Sequence, residues 1–577
     1  KSYKDGTLTD PYGSTYDIGT ASSIYIDAAG TYDAQAKNSN TFIIKTSNVV
    51  SGSITRSQIW KADGTETQIL STDDHAAADQ LGYSVSVDGN YAVIGAAQES
   101  TGGAAAGAAY IFYKSGTTWS QQSKLVASDA QANDQYGEAS SISGDYAIVG
   151  SPYEDAGGSA AGAAYVYKRD GTTWTQQAKL TASDAATNDY FGQSVAILGD
   201  YAFVGSPYND DPTNSGSAYI FKRASTYVFT GTSPSTITLG GFWYTDFSRW
   251  YQKSTSDATS SYVRYILWNS SGQVGADYGT SFTVNSSGDL ILDVNDSTGG
   301  SATPAYFVNN TTSTTVSSGT GVVSVGDLIE LFHSGNTSEA TFTVPSVFAP
   351  TSGDVWSQQA KLTASDAASN DEFGLSVSLS GDYAITGANS GDQRPGSAYI
   401  FKRSGTSWSQ QAKLQASDGA TSDRFGKAVA LSGDYAVIGA YADDSPTDSG
   451  SAYIFKKDTG AETWTQQAKL IASDAATSDN FGWEVDISGD TTVIGARYDD
   501  DGGSNSGSAY IFERSGTTWT EVKKISASDV GANDKFGLSV AIDGTTAFVG
   551  SAENDTKGSN AGAAYVYEKV YVGPTLT

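Results

Sequence analysis

A short motif, an aromatic residue followed by glycine and most often by x-Ser/Ala-Val, returns in register along this chain. Its glycine falls at Gly82, Gly137, Gly192, Gly374, Gly426, Gly482 and Gly537, with gaps of 55, 55, 182, 52, 56 and 55 residues. A fixed period of this kind means that each supersecondary unit covers its apolar face only by packing on its neighbours. The unit from Phe425 reads FGKAVALS, Gly433-Asp434, YAVIGA, an Asp-rich stretch, SAYIFKK and, after a turn, TWTQQAKL. The apolar pieces are short, rich in β-branched and aromatic residues and partly alternating, so they predict strands. Gly-Asp predicts a tight turn. Lys and Gln in the fourth piece suit an outer strand that must resist pairing with other chains. Four short antiparallel strands per unit predict a propeller blade, with a linear solenoid as the alternative. The ends decide between them. The last copy stops after AYVYEK and lacks a Trp-x-Gln-Gln strand, while residues 65–70 supply a spare one upstream. The expected fold is therefore all-β: a seven-bladed β-propeller with four-stranded blades, its last blade closed by an N-terminal strand.

The long gap places an insert at residues 224–353, where the turn between the third and fourth strands of the third blade should be. Short strand-like segments separated by turn residues predict a β-sandwich or jelly-roll. The organisation expected is a β-rich cap or linker at 1–57, propeller at 58–223 and 354–570 around the insert, and a tail at 571–577. The abrupt ends and the initial Lys1 point to a trimmed chain or a fragment of a longer protein.

Strand parity sorts the loops. Those joining strands two to three, and four to the next blade, share one face, and both are rich in Asp. The crossovers carry Asp74 and Asp79, Asp129 and Asp134, Asp184 and Asp189, Asp366 and Asp371, Asp418 and Asp423, Asp474 and Asp479, and Asp529 and Asp534. The other loops place Asp155, Asp210, Asp392, Asp444, Asp500 and Asp555 five residues after a glycine, and add Asp211, Asp443, Asp499 and Asp501 beside them. Hard carboxylate oxygens on flexible loops suit Ca²⁺. Asp also caps turns by accepting backbone N–H groups, so the crossover acids are equally readable as anchors. Both readings stay open. The tryptophans that start the fourth strand, from Trp119 to Trp519, and the tyrosines of the third, from Tyr110 to Tyr565, read as packing between blades.

In the insert, Trp243, Tyr244, Asp246, Arg249, Trp250 and Tyr251 form an aromatic and polar cluster, suited to sugar or protein recognition or simply to a core and its loop. Sequons at Asn269, Asn285, Asn295, Asn309, Asn310 and Asn336 mark candidate glycosylation sites there, with Asn554 alone outside it.

The chain has 63 acidic and 33 basic residues, a formal charge of −30, no Cys and two His. Such a surface repels nucleic acid. Without Cys, and with only His75 and His333, there is no disulfide framework, no Cys-based metal site and no ready catalytic triad. No apolar run is long enough to span a membrane as a helix. Abundant Ser, Thr, Gly and Asn fit a secreted or surface protein.

The Phe-Gly units, together with Val149-Gly150-Ser151-Pro152 and Val204-Gly205-Ser206-Pro207, resemble FG-GAP repeats of integrin α-subunit heads and of bacterial-type surface proteins. The resemblance implies a seven-bladed propeller, extracellular or cell-surface placement, and adhesion or protein binding, often with Ca²⁺. Integrin-type repeats carry an Asp-x-Asp-x-Asp-Gly loop between strands one and two. Here that place holds only Gly-Asp, as at Gly199-Asp200, so calcium would have to use the other face. The functional expectation is a non-catalytic adhesion or recognition protein whose partner is a protein or glycan at a surface. The alternative is a structural subunit of an appendage, filament, sheath or capsid-like assembly that binds copies of itself. A glycan-active enzyme using paired Asp is the minor third reading.

Overall fold

The computed structural model describes Trp60 and residues 66–209, 213–223, 356–389, 394–443, 447–458 and 460–569 with their side chains, and some further strands by backbone alone. Each repeat is one twisted, four-stranded antiparallel sheet. In the fifth blade the strands are Val429–Ser432, Tyr435–Ala440, Ser451–Lys457 and Trp464–Leu470, in spatial order. The second strand is buried along its whole length because neighbouring blades cover both its faces. That is why it reads as an apolar run rather than an alternation.

Blades are tied to one another at the loop face. Parallel bridges join Gly107 to Tyr136, Gly162 to Phe191, Gly216 to Phe373, Gly396 to Phe425, Gly450 to Phe481 and Gly507 to Phe536. The seventh bridge, Leu81 to Gly562, links the last blade to the first. The glycine of the motif has to be glycine. Gly137 has φ of 97°, and a Cβ there would lie 2.3 Å from the Ala108 carbonyl oxygen.

The ring closes through the N-terminal strand. Gln68–Leu70 pairs with Ala563–Leu576, Leu70 opposite Ala564 and Gln68 opposite Val566. Ser53–Trp60 continues along the same long strand and puts Trp60 opposite Lys569. In other blades Trp464 stands opposite Lys457, and Trp519 opposite Arg514. Trp60, 6% exposed, is thus the seventh member of the tryptophan series, which the sequence pattern alone does not include. These indoles pack between blades: Trp174 meets Tyr91, Trp408 meets Tyr201 and Trp519 meets Tyr435, each at 6.1 Å and edge-on.

On the opposite face, the Gly-Asp turns form ion pairs within their own blades. Asp145 pairs with Arg169, Asp200 with Arg223, Asp382 with Arg403 and Asp490 with Arg514. In the fifth blade Asp434 pairs with Lys457 at 2.9 Å, so the turn acid, where present, is committed to a cation at the end of the third strand.

Residues of the insert enter and leave through Ser217–Tyr227 and Pro350–Leu362, which pair from Ala218–Leu362 outward to Tyr227–Pro350. The insert thus grows from the expected hairpin, and the paired ribbon runs a few residues past the boundaries read from the sequence. Its backbone strands pair into a six-stranded and a four-stranded sheet. The packing of a sandwich, and the side chains of the 243–251 cluster and of the six insert sequon asparagines, lie outside the described residues.

Candidate functional site

The loop face carries one ionic unit per blade. The first crossover acid, Asp74, Asp129, Asp184, Asp366, Asp418, Asp474 or Asp529, accepts a hydrogen bond from a third-strand tyrosine at 2.7–3.0 Å. In six blades it also pairs with a fourth-strand lysine: Lys124, Lys179, Lys361, Lys413, Lys469 or Lys524. Burial pushes these six carboxyls up, but the lysine and tyrosine bonds more than reverse it, leaving them below the usual aspartate value. In the seventh blade the lysine position is Ile69, and Asp529 takes the Thr556 hydroxyl at 2.9 Å instead.

Four of these lysines reach a second carboxylate, and two of those carboxylates, Asp443 and Asp499, are already marked by the sequence pattern. Lys124 meets Glu99 at 3.0 Å, Lys179 meets Glu154 at 2.8 Å, Lys469 meets Asp443 at 3.0 Å and Lys524 meets Asp499 at 2.9 Å. These partners are buried, Glu154 at 1% exposure and Asp499 at 2%. The regularly spaced acids one residue further on are exposed. Asp155, Asp500 and Asp555 accept the backbone N–H of Ala160, Asn505 and Asn560, five residues ahead, at 2.8, 2.6 and 2.7 Å. Asp210, Asp211, Asp392 and Asp444 lie outside the described residues.

Asp474, Asp499 and Asp501 bring carboxylate oxygens within 4.8 Å of one another, a donor set that could hold a divalent ion. The Lys524 ammonium already stands among them at 2.6, 2.9 and 2.6 Å.

The second crossover acid is buried and turned back on its own loop. Asp79, Asp134, Asp189, Asp371, Asp423, Asp479 and Asp534 each accept the N–H three residues earlier at 2.6–2.9 Å. Burial pushes Asp134 and Asp479 up to about 6.

A different site appears where the copies disagree. The residue after the motif glycine is Tyr83, Glu138, Gln193, Leu375, Lys427, Trp483 or Leu538. The innermost strands gather these side chains around the propeller axis, where they line a cavity of about 240 Å³. The next position is normally Ser or Ala; Ser84, Ser194 and Ser539 donate to carbonyls of the adjoining blade at 2.8–2.9 Å. The sixth blade has Glu484 there and Asp486 two residues later. Asp486 accepts the N–H of Ile487 at 2.8 Å and of Ile542 at 2.7 Å.

Charge inside the cavity is mixed. Gln193 donates to Glu138 Oε1 at 2.6 Å, while Glu138 Oε2 is buried without a partner. Arg497 lies 3.0 Å from the centre of the Trp483 ring, and Lys427 Nζ lies 4.5 Å from it. Enclosure by low-dielectric protein pushes the cavity-lining Glu138 and Glu484, and Asp486 two residues further along the same strand, up to about 7. The same enclosure pushes the Lys427 ammonium down. Tyr441 contacts the cavity-lining Trp483 at 4.8 Å, and Tyr190 contacts Tyr153 at 5.1 Å and Tyr208 at 5.3 Å. Tyr190 is held at φ of 51°, in the left-handed region that a side chain seldom occupies. Aligning the seven copies against one another was the signal that could have found this ring.

Comparison with known proteins matches the FG-GAP repeat to residues 65–112, 119–167, 174–221, 356–401, 408–455, 464–512 and 519–567. Among solved structures, the chain is similar to Sqt1 of Saccharomyces cerevisiae, at 11% identity and a TM-score of 0.36, covering 88% of this chain and 99% of that one. It is also similar to Sqt1 from Chaetomium thermophilum, at 13% identity and a TM-score of 0.38, covering 86% and 97%. Likeness at these values carries no argument. No curated protein matches the chain. Each of the seven matched segments spans the fourth strand of one blade and the first three strands of the next, and together they cover more than half of the sequence, so the chain belongs to the FG-GAP repeat family.

Proposed function

We propose that this chain is a recognition module at the cell surface or outside the cell, and that it engages its partner at the axial mouth on the loop face. One observation carries the reading. Seven copies that agree in strands, six of them also in the lysine–aspartate pair, carry six different residue types around the axis, at Tyr83, Glu138, Gln193, Leu375, Lys427, Trp483 and Leu538. Packing alone asks these positions for nothing individual, whereas a ligand does. FG-GAP propellers are non-catalytic scaffolds, and this chain has no Cys and no nucleophile motif. The reading does not rest on calcium, because a lysine ammonium already stands against the first crossover acid in six blades.

Beads coated with the chain should adhere to intact cells or to surfaces bearing their shed polymers. Beads carrying a Tyr83→Ala, Arg497→Ala variant with unchanged far-UV circular dichroism should not. Equal adherence of both would move recognition away from the mouth. Concentration-dependent light scattering that grows into large assemblies would favour the building-block role instead.

A further inference from the structure

We infer that the axial mouth binds a neutral sugar, the end of a hexose-bearing glycan; this rests on the mouth being the recognition site. The argument is one of complementarity. Two carboxyl groups line the cavity, Glu138 and Glu484, and two cations line it with them, Lys427 and Arg497. A cationic ligand would meet the lysine and the arginine, and an anionic one would meet the acids. A ligand with no net charge and both donors and acceptors meets neither penalty.

The cavity also offers specific unsatisfied groups. Glu138 Oε2 is an acceptor and Arg497 Nε a donor, both buried and both without a partner. Lys427 forms no hydrogen bond or ion pair among the described residues; its contact is the Trp483 ring. Buried polar atoms left open are costly, and a small rotation of the Glu138 and Arg497 side chains toward a ligand hydroxyl in the cavity would satisfy them. Vicinal hydroxyls suit this set because each both donates and accepts. Tyr83 and Trp483, the aromatic residues that line the cavity, match the other half of a pyranose, its flat C–H face. A cavity of about 240 Å³ has room for one such ring, not for a folded partner.

The test uses the full chain and a panel of free glucose, galactose, mannose and N-acetylglucosamine with their β-linked disaccharides, read by saturation-transfer NMR and calorimetry. Glucuronate and lysine serve as charged comparators. At least one neutral sugar should bind saturably and more tightly than either comparator. Glu138→Gln should weaken it at least tenfold, and Leu375→Trp, which fills the cavity without removing a polar group, should abolish it. Asp500→Asn, out in a loop, should leave it unchanged. No saturable neutral sugar, preference for a charged comparator, or full binding in Leu375→Trp would each overturn the assignment. If bead adherence still depends on Tyr83 and Arg497 while every sugar fails, only the glycan assignment falls. If adherence is also indifferent to those residues, the mouth itself is the wrong site.

Discussion

Lys524 holds three carboxylates within hydrogen-bond reach, and its counterparts in five other blades each hold at least one. An ammonium supplies one positive charge and three donors, the work a hydrated metal ion would do among the same oxygens. Chelators should therefore leave the melting temperature of the native protein unchanged. Lys524→Met should lose about 1–3 kcal/mol, because Asp474, Asp499 and Asp501 then repel one another without a counter-charge. Millimolar Ca²⁺ should restore much of that loss, and a thermal melt with and without EDTA would show it. A Lys524→Met melt insensitive to calcium would mean that the three oxygens cannot adapt to an ion. At this scale the sequence was partly legible. The crossover acids stood out because all seven copies keep them. The buried partner was marked only where it is Asp443 or Asp499, because the position varies among Glu99, Glu154, Asn209, Asp443, Asp499 and Asn554, and only the fold of the loop shows that each is enclosed.

Among the elements, the closing strand matters most, since it alone removes an open edge from the ring. Leu70 is 2% exposed and stands opposite Ala564. Leu70→Asp should destabilise the propeller by about 3–5 kcal/mol, by losing apolar burial and enclosing a charge. Limited proteolysis should then cut the last blade first; cleavage spread evenly over all blades would contradict a local opening. The strand was readable because the final copy lacks what the first has in excess. Its partner Trp60 was not, since ten residues separate it from Leu70 whereas six separate Trp464 from Leu470. Extra residues broke the spacing that pattern matching relies on, while strand pairing tolerates them as a detour.

For the whole molecule, the balance of buried acids sets the response to pH. Glu138, Glu484 and Asp486 titrate at about 7 in the folded chain and near 4 when unfolded. Between those values the folded state holds more protons, so stability falls as pH rises through that window. The crossover acids held below their usual value act the other way, and only below about pH 4. Melting temperature should therefore peak in mild acid and decline toward neutrality. Asp486→Ser restores what other blades have, since Ser86, Ser141 and Ser378 accept the matching N–H at 3.1–3.2 Å. It should flatten part of the decline between pH 5 and 8, worth about 1–3 kcal/mol; an unchanged slope would remove Asp486 from the account. The global fold was the most legible level, because seven copies repeat one message. The axial ring was the least, because repetition draws the eye to what stays constant.

The strand pairing of Leu70 with Ala564 also fixes a timetable. A ribosome adding roughly 5–20 residues per second needs on the order of 25–100 s to travel from one partner to the other. For all that time Gln68–Leu70 must wait unmated while six complete blades stack up behind it, so the circle can only be sealed once the strand around Ala564 has left the ribosome.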